Sequence, residues 1–486
     1  MPLFPKGHLK STAHPFEHGE KELRTFLFLQ AQTDVFLRPL PRISNTVATT
    51  SALHHLRLQA TLLVRHLIKI RGYDMKKDFF NVLSVQEFIQ ALHSFSPLQA
   101  HTVSIDAVDG CVLAEDIIAA EDLPLASRSC MDGYAINASS VFGASEANPA
   151  YLESVGDIDI EQPASYTLQN GECAGIVTGG ILPDGADAVV MVEHTESLGA
   201  GTVEIRKSLA PFENVMLKGE DATTGNPALV AGTRIRPQEV GMLAALGVME
   251  IPVNNTPRVG IISTGDELIP IEEKPVVGQV RDVNSYTLAA CARRAGATAK
   301  TYGLVEDNLE SLKTALENAL AENDVVFLSG GSSVGVRDLT VGAIEEIEGA
   351  EIINHGVAIS PGKPLILAKC GNKAIWGLPG QVASAQVVMF ILGMPFLRYL
   401  GGDTNAFDQT RWPSKQAVLS RNVASKPGRE DYVRVSVTEK NGKTIATPVL
   451  GKSGLLKTML QADGVARIGA DSEGIYEGTA VDVLFF

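Results

Sequence analysis

The chain has 486 residues and a mass of 51.7 kDa, which is too long for one compact core; typical domains of roughly 100 to 200 residues imply about three or four units. Hydrophobic residues at 45% and charged residues at 20% lie in the ordinary globular range, which excludes a disordered or fibrous chain. A net charge of −15 argues against nucleic-acid binding, because phosphate contacts need clustered Lys and Arg.

Residues 1–74 differ in charge from the rest of the chain. They hold 10 Lys and Arg against 5 Asp and Glu, so the remaining residues, with 31 against 51, carry −20. Met75 opens a conventional start, and Ser84 with Glu87 predicts a capping box before apolar residues at helical spacing. We interpret residues 1–74 as an N-terminal extension that is disordered or comes from a mis-assigned start, with a transit peptide as the alternative.

Hydropathy and cysteine content bear on the compartment. The sequence has no run of 18 or more apolar residues, so we expect no membrane span and a soluble protein. Its five cysteines are scattered and never spaced Cys-x-x-Cys, which supports neither a zinc site nor a disulfide framework. These features predict a cytoplasmic protein.

The first half of the chain predicts two units. Residues 75–125 and 226–256 form a linker domain, in which a helix is followed by the strand 101–105 and a later helix covers 238–246 after Pro237. Residues 126–225 are rich in glycine and contain short strands such as 188–192 and 202–206, so they predict an inserted β domain.

From residue 257 to 402 apolar strands alternate with amphipathic helices. This alternation predicts a doubly wound α/β domain with a parallel sheet, whose ligands bind at the carboxyl ends of the strands. After a polar connection, residues 411–486 show short alternating strands, including 432–437 and 480–485, which predict a small barrel-like β domain. The predicted fold is therefore multidomain, α/β plus β.

Loops of Gly, Ser, Thr and acidic residues follow three of the predicted parallel strands. They are Ser263-Thr-Gly-Asp-Glu-Leu268, Ser329-Gly-Gly-Ser-Ser-Val-Gly-Val-Arg-Asp338 and Leu378-Pro-Gly-Gln-Val-Ala-Ser384. Glycines let the backbone approach a ligand, and hydroxyls, N–H groups and helix N-termini bind phosphate oxygens. One such loop also serves simply as a helix cap, but three on one sheet edge predict a phosphorylated ligand.

Acidic residues accompany these loops. Glu267, Asp307 and Asp338 are expected near the strand ends, where carboxylates beside a phosphate site favour Mg²⁺. The alternative is helix capping, by Asp307 with Glu310 in a capping box and by Asp338 before a helix at 339–347.

Cations occur in two further segments. Lys363 follows a Pro-Gly turn in Val357-Ala-Ile-Ser-Pro-Gly-Lys-Pro364, where it could meet an oxyanion or simply be surface charge. Pro427-Gly-Arg429 and Gly451-Lys-Ser-Gly-Leu455 are a second anion-binding combination. In the β region, Asp132 lies in a turn and could form only an Asx hydrogen bond.

Taken together, these segments resemble the molybdopterin molybdenumtransferase family, of the MoeA and gephyrin E-domain type. The resemblance spans residues from about 80 to 486. The matching segments, in order, are Cys130-Met-Asp-Gly-Tyr-Ala135, Thr178-Gly-Gly180 with Gly185-Ala-Asp-Ala-Val-Val190, Lys218-Gly-Glu-Asp221, Ser263 to Leu268, Ser329 to Gly335 with Asp338, Pro361-Gly-Lys-Pro364, Gly377-Leu-Pro-Gly380 and Gly428-Arg429.

The resemblance implies a function and a mechanism. It implies insertion of molybdate into adenylylated molybdopterin, with release of AMP, by a homodimer whose cleft lies between the α/β domain of one subunit and the β domain of the other. Asp132, Asp221 and Asp338 would be catalytic, and Glu267 with Asp307 would hold Mg²⁺. The implied substrate-binding residues are Thr178, Ser263, Thr264, Ser329, Gly330, Gly331, Ser332, Ser333, Ser360, Lys363, Pro379, Arg429 and Ser453. Molybdopterin adenylyltransferase is a further candidate partner; no nucleic acid and no membrane are expected.

The chain departs from the family pattern at three places. Ser360 and Gly356 stand where many members carry basic residues, so the oxyanion pocket should be less cationic, which bears on the choice between molybdate and tungstate. Gln381-Val382 replaces the commoner Asn-Pro after Leu-Pro-Gly.

Rival functions remain at this point. A molybdopterin adenylyltransferase or a competence-damage-type nucleotide hydrolase would share the α/β domain but would need neither the β insertion nor the C-terminal domain. A non-catalytic scaffold or molybdopterin-binding protein of the same fold would not need to keep Asp132, Glu267, Asp307 and Asp338 together. A tungstate-preferring insertase is a further alternative.

Overall fold

The computed structural model describes residues 82–160, 162–330 and 334–486, without the side chains of 334–338. The interpretations made for residues 1–74 and for Met75 lie outside these residues. Within them the α-helices are α1 Val85–Leu92, α2 Pro237–Ala245, α3 Asn284–Arg294, α4 Leu309–Glu322, α5 Val334–Glu345, α6 Val382–Val388, α7 Met394–Leu400 and α8 Lys457–Leu460.

The strands are numbered in chain order. Before residue 257 they are β1 Ala100–Ser104, β2 Ile117–Ile118, β3 Arg128–Ser129, β4 Gly133–Ile136, β5 Ala150–Asp157, β6 Glu172–Ile176, β7 Ala188–Met191, β8 Thr195–Gly199, β9 Thr202–Ile205, β10 Val215–Met216, β11 Pro227–Leu229 and β12 Glu250–Asn254. From residue 258 to 378 they are β13 Arg258–Thr264, β14 Leu268–Ile269, β15 Val280–Arg281, β16 Thr298–Val305, β17 Val325–Ser329, β18 Ala350–His355, β19 Ile359–Ser360, β20 Ile366–Cys370 and β21 Lys373–Leu378. The remaining strands are β22 Ser414–Leu419, β23 Val423–Ala424, β24 Glu430–Lys440, β25 Lys443–Pro448, β26 Gly464–Ile468, β27 Gly474–Ile475 and β28 Ala480–Phe485.

Helix α1 begins at the predicted capping box but packs elsewhere than expected. The backbone N–H of Glu87 donates to Ser84 Oγ (3.2 Å), and that of Ser84 donates to the Glu87 carboxylate (2.8 Å). The apolar face of α1 buries Phe88 edge-on against Trp376, with ring centroids 5.4 Å apart. Residues 85–92 therefore pack into the α/β core, whereas the sequence had placed them in the linker domain.

The linker domain joins two distant segments of the chain. Strand β1 pairs antiparallel with β12, and β2 with β11, so residues on both sides of the insertion share one small core. Val108, Leu113, Leu243 and Ile251 are buried in it. Pro237 occupies the first helical position of α2, where its missing N–H and fixed φ are tolerated.

The inserted domain is a six-stranded sheet in the order β7-β4-β6-β5-β9-β8. Apolar residues are buried on both of its faces, among them Ile136 and Val190 in one cluster and Ala135 and Val189 in the other. Adjacent residues of β4 and of β7 thus point to opposite faces of the sheet, and both faces are covered by apolar side chains.

The α/β domain has the order β16-β13-β17-β21-β20-β18. The first four strands are parallel, but β20 runs antiparallel to both β21 and β18, so the sheet is mixed at one edge rather than wholly parallel. A short connection, 371–372, joins β20 to β21 and is too short for a parallel crossover. Helices α3, α6 and α7 cover one face, and α4 with α5 cover the other.

The C-terminal domain is a closed barrel. Strands β24, β25, β22, β28 and β26 follow one another, and a further pairing of β24 with β26 closes the ring. Strand β19 comes from the α/β domain and pairs in parallel with the start of β24, Ile359 opposite Glu430 and Ser360 opposite Asp431. The predicted small β-barrel is confirmed, with one additional strand from its neighbour.

A helical run from Val382 to Leu400 is continuous through α6, a π-helical turn at Met389–Gly393 and α7. By length and composition it could cross a bilayer, and within the described chain it is the one such segment. Most of it is buried inside the protein, where Phe396 and Leu397 pack in the α/β core. This burial is typical of a core helix.

Candidate active site

The three Gly-rich loops begin side by side at one edge of the sheet. Ser263, near the end of β13, lies opposite Ser329 of β17, and Ser329 lies opposite Leu378 of β21. Parallel strands bring their carboxyl ends to the same edge, so the chain's own register gathers the loops. The predicted clustering of these loops is therefore confirmed by the geometry.

The hydroxyl of Ser263 is used inside the protein. Ser263 is fully buried, its Oγ lies 3.1 Å from Asp282 Oδ1 and 2.9 Å from Ser285 Oγ, and Asp282 also accepts from the Ser285 N–H at 3.1 Å. Pro379 is buried as well. In the described structure these two predicted binding residues shape the loops from beneath instead of presenting their side chains to solvent.

Asn284, which the sequence analysis did not single out, links two of the three loops. Its Nδ2 donates to Ser329 Oγ (2.7 Å) and to the carbonyl of Gly380 (2.9 Å). Asn284 is about nine-tenths buried, and its Oδ1 has no partner among the described residues. The available signal was an Asp three residues before a Ser at a helix start, which marks an N-terminus but not this bridging role.

Thr264 and Gly265 lie beside the two predicted magnesium ligands, Asp307 and Glu267. Thr264 Oγ1 donates a short hydrogen bond to Asp307, and a methyl group built on Gly265 would lie 2.9 Å from Glu267 Oε2. The two carboxylates therefore flank consecutive residues at the end of β13. Helix α4 is capped by Asn308, whose side chain accepts from the Ser311 N–H (2.9 Å), so Asp307 is not the cap.

Gly330, the first residue after β17, lies directly against the end of β13. Gly330 has φ +155°, and a Cβ at this position would come within 3.0 Å of the Thr264 backbone, so only glycine fits without a shift. Gly331, Ser332 and Ser333 lie outside the described residues. Helix α5 begins at Val334, so Asp338 is inside the helix and does not cap its start as the alternative interpretation supposed; its side chain is not described.

The C-terminal barrel completes this edge of the sheet. Ser453 Oγ donates a short hydrogen bond to Gln381 Oε1, and the Ala383 N–H donates to the Ser453 carbonyl at 3.0 Å. Gln381 is the residue before α6, so the barrel loop 451–455 contacts the start of that helix. Gln381, noted above as a departure from the family pattern, thus makes a contact between domains.

Lys363 and Arg429 differ in how far their charge is already used. Lys363 is exposed, and its carbonyl accepts from the N–H groups of Val357 and Leu365 (3.0 and 2.9 Å), which fixes the turn. Arg429 forms an ion pair with the buried Asp431, Nε to Oδ1 2.9 Å. Ser360 lies opposite Asp431 across the β19–β24 pairing. Lys363 is therefore available to an anion, whereas the charge of Arg429 is largely neutralised by Asp431.

Asp132 and Thr178 contact each other in the inserted domain. Asp132 Oδ1 accepts from the Thr178 backbone N–H (2.7 Å) and from its hydroxyl (2.9 Å). These hydrogen bonds, the backbone one first, hold the pKa of Asp132 below its usual value. Both residues are exposed, and in the described part of one chain no hydrogen bond joins them to the strand-end loops.

Asp221 lies on an exposed segment that packs against the residues just before β3. The Lys218 N–H donates to Ser127 Oγ (3.1 Å), and the Asp221 N–H donates to the Leu123 carbonyl (2.9 Å). Asp122, another residue not singled out in the sequence, accepts from the backbone and hydroxyl of Thr224 (2.8 and 2.7 Å), which anchors this segment.

Beside a phosphorylated ligand, the two carboxylates at the end of β13 would need a cation to offset their negative charge. No group of three or more His, Cys, Asp or Glu that could hold a metal occurs in the described residues. Mg²⁺ requires fewer protein ligands than that, commonly one or two carboxylates with water and phosphate oxygens. Glu267 and Asp307, both carboxylates and both close to Thr264 and Gly265, fit that requirement.

Comparison with known proteins gives matches along most of the described chain. Three family models match: "MoeA N-terminal region (domain I and II)" at residues 83–247, "Probable molybdopterin binding domain" at 260–399, and "MoeA C-terminal region (domain IV)" at 416–486.

Individual relatives match over most of their own length. A molybdopterin biosynthesis protein of Methanocaldococcus jannaschii is 38% identical over 76% of this chain and 88% of its own. A molybdopterin molybdenumtransferase of Staphylococcus aureus is 30% identical over 83% and 96%. A crystal structure of a molybdopterin biosynthesis MoeA protein from Pyrococcus horikoshii aligns with a TM-score of 0.67 at 28% identity, covering 84% of this chain and all of that one.

Proposed function

The chain belongs to the molybdopterin molybdenumtransferase family, and from this premise we propose that it inserts molybdate into adenylylated molybdopterin, releasing AMP and forming the molybdenum cofactor. The observation that carries the proposal is the register of β13, β17 and β21, which sets three phosphate-type loops side by side beneath a barrel loop with an exposed lysine nearby.

The strand-end loops would bind the adenylylated pterin. Backbone N–H groups and hydroxyls there would donate hydrogen bonds to the phosphate oxygens, and Gly330 lets the second loop approach the first. Asn284 would hold the loops in register, because it bonds to Ser329 and Gly380 at once. Such fixed donors lose little free energy to reorganisation when charge develops.

Glu267 and Asp307 would hold Mg²⁺ at this edge. When bound, the ion would offset the negative charge of the pyrophosphate group. Thr264 orients Asp307 through its hydroxyl, so the carboxylate is held in place before any ligand arrives.

Lys363 would be the main cation for the molybdate oxyanion. Arg429 contributes less, because Asp431 is already paired with it, and Ser453 contacts Gln381 at the neighbouring loop. Ser360 and Gly356 add no charge here. The molybdate site is therefore weakly cationic, and tungstate, an oxyanion of similar shape, belongs in the same assay.

Asp132 and Asp221 would act from a second copy of the chain. Both are exposed in the inserted domain, and a homodimer would supply them across a cleft facing Asp338. Exposed Val276, Val277 and Val280, between and on the small strands after β13, offer apolar surface near the loops for such a contact.

A cytoplasmic location and a molybdopterin adenylyltransferase partner complete the proposal. The cysteines in the described residues are all free, as a reducing compartment favours.

The experiment is to incubate the purified protein with adenylylated molybdopterin, Mg²⁺ and molybdate and to measure AMP. We expect AMP release that depends on molybdate. Binding of the substrate without AMP release would contradict the proposed enzymatic function and would favour a cofactor-binding scaffold. A parallel series with tungstate measures metal choice, and sedimentation analysis measures the oligomeric state.

A further inference from the structure

A cavity of about 770 Å³ lies between the linker domain, the ends of α3 and α7, and the chain that leads into the barrel. Five arginines line it: Arg234, Arg236, Arg294, Arg398 and Arg411. Asp403 is the one carboxylate among the lining residues that the structure describes. Five guanidinium groups around one space are unexpected in a chain with a net charge of −15.

The cavity is separate from the candidate active site. Asn284, the first residue of α3, contacts the strand-end loops, whereas Arg294, its last residue, lines the cavity. The helix has 11 residues, so ten rises of 1.5 Å put about 15 Å between its first and last residues. The arginines therefore belong to the amino-terminal edge of the sheet, opposite the edge where the three loops meet.

Three of the arginines already have partners. Arg236 pairs with Glu239 (2.5 Å), Arg234 donates to the Gly110 carbonyl (2.7 Å), and Arg294 donates to the main-chain oxygen of Phe486 (2.5 Å). Glu239 is charged, whereas the Gly110 carbonyl is neutral. The three contacts also fix the guanidinium groups, so little side-chain entropy is left to lose when an anion binds.

Arg398 and Arg411 form no direct ion pair in the described structure. The carboxylates of Asp403, near Arg398, and Asp408, near Arg411, act on them only through space. Burial and the nearby Arg234 and Arg294 lower the pKa of Arg398, while Asp403 opposes this effect. A guanidinium nevertheless stays protonated at neutral pH, so the repulsion persists and a bound anion would relieve it.

The acidic groups around the cavity are mostly engaged elsewhere or lie farther from the arginines. Glu239 is paired with Arg236, and the carboxylate of Asp116 accepts from the Ala231 N–H at the rim (2.7 Å). Asp403 in the lining and Asp408 beside Arg411 act on the remaining arginines without a direct ion pair. The guanidinium groups of Arg398 and Arg411 are therefore the ones left for an anion.

We propose that this cavity binds a small phosphate-bearing molecule at a site distinct from the active site. Guanidinium groups bind phosphate in a bidentate manner, and the volume lies in the range of small-molecule pockets. Trp412 lines the same cavity and is half-buried against Phe390, so its ring can stack on a planar group of the ligand. This proposal does not depend on the transferase reaction.

Calorimetric titration of the full-length protein with inorganic pyrophosphate, AMP and adenosine tests the site. We expect Arg398→Gln and Arg411→Gln each to weaken pyrophosphate or AMP binding at least tenfold. Adenosine, which lacks phosphate, should not bind there. AMP binding more tightly than pyrophosphate would identify a nucleotide ligand; the reverse would identify a free phosphate compound.

Arg421→Gln is the matched control, because Arg421 is exposed on the barrel and lies outside the cavity lining. Equal binding by the cavity variants and the wild type would overturn the proposal, as would an equal loss in Arg421→Gln. Arg411 is exposed, so Arg411→Gln should stay folded even if Arg398→Gln does not. A change in oligomeric state with unchanged phosphate binding would make the cavity a protein interface and would also overturn the proposal.

Discussion

The carboxylate of Asp132 accepts two hydrogen bonds from a single residue, Thr178, one from its backbone N–H and one from its hydroxyl. Both donors favour the ionised carboxylate, which is why the pKa of Asp132 is lowered although the side chain is exposed. In the proposed dimer this carboxylate would therefore meet the active site of the partner subunit as a fixed negative charge.

Replacing Thr178 with Val should raise the pKa of Asp132, because the hydroxyl donor is lost while the backbone donor remains. A group with a lowered pKa stays ionised as the pH falls, so activity that needs ionised Asp132 should be lost at a higher pH in the variant. We also expect AMP release to fall roughly tenfold, the scale of one hydrogen bond to a charged group. The measurement is the pH profile of AMP release.

Thr410→Val is the matched control for that experiment. Asp408 accepts from the backbone and the hydroxyl of Thr410 (3.0 and 2.6 Å) in the same arrangement, but outside the proposed site. Its pH profile should match that of the wild type. If Asp132→Asn left the rate of AMP release unchanged, Asp132 would have no catalytic role.

Asn284→Leu should disturb the loops at the sheet edge. The change keeps the approximate size of the side chain but removes its bonds to Ser329 and Gly380, and we expect a raised KM for adenylylated molybdopterin. The buried hydroxyl and carbonyl left unpaired should lower stability by about 1 to 3 kcal/mol.

Asn323→Leu separates stability from function in that experiment. Asn323 is also buried and bonds to Tyr302 Oη (2.7 Å) and the Ala319 carbonyl (2.8 Å), on the far side of α4. A comparable loss of stability with an unchanged KM is the expected result. An equal rise in KM for both variants would mean that Asn284 has only a structural role.

Asp307→Asn should raise the Mg²⁺ concentration needed for half-maximal AMP release at least tenfold, because a carboxylate ligand becomes a weaker amide. Removing Mg²⁺ with a chelator should abolish the reaction. Glu306→Gln, which removes the same charge one residue earlier, should leave the Mg²⁺ dependence unchanged. Full activity in the presence of the chelator would exclude the proposed magnesium site.

Glu239→Gln tests a stabilising interaction away from the active site. Hydrogen bonds from the Arg236 side chain lower the pKa of Glu239 to about 2, from 4.5. A lowered pKa stabilises the fold above pH 4.5, and this contribution is lost as the pH falls toward 2. At pH 7 we expect a loss of about 1 to 2 kcal/mol, since Arg236 is largely exposed. Urea unfolding at several pH values measures it, with Glu250→Gln as an exposed control.

Local sequence signals predicted most of the elements of the fold. The capping box of Ser84 and Glu87, the strand–helix alternation after residue 257 and the barrel strands all have a period or a cap that a short window contains. A short window of sequence does not contain the distant residue against which a side chain packs in the folded protein. Helix α1 was assigned to the linker domain because nothing near it in sequence reveals that Phe88 packs on Trp376.

The candidate site was predicted only in part, because some of its contacts also depend on residues that are distant in sequence. The loops at Ser263, Ser329 and Leu378 could be expected to meet, because parallel strands end at one edge. The bridging role of Asn284 and the pairing of Arg429 with Asp431 depend on side-chain positions fixed by tertiary packing. Similarly, α5 begins at Val334 and not at Leu339, since weak helix formers such as Val334, Gly335 and Val336 can enter a helix when the fold supports it.

The two-residue strand Ile359–Ser360 has a consequence for the evolution and engineering of this chain. It belongs to the α/β domain in sequence but to the barrel in its hydrogen bonding, so the barrel cannot be exchanged as an independent module at the connection near residue 410. A chimera would have to carry the segment 357–365 together with its new barrel. Substitutions at Glu430 or Asp431 would likewise select for compensating changes at Ile359–Ser360, which is distant in the sequence.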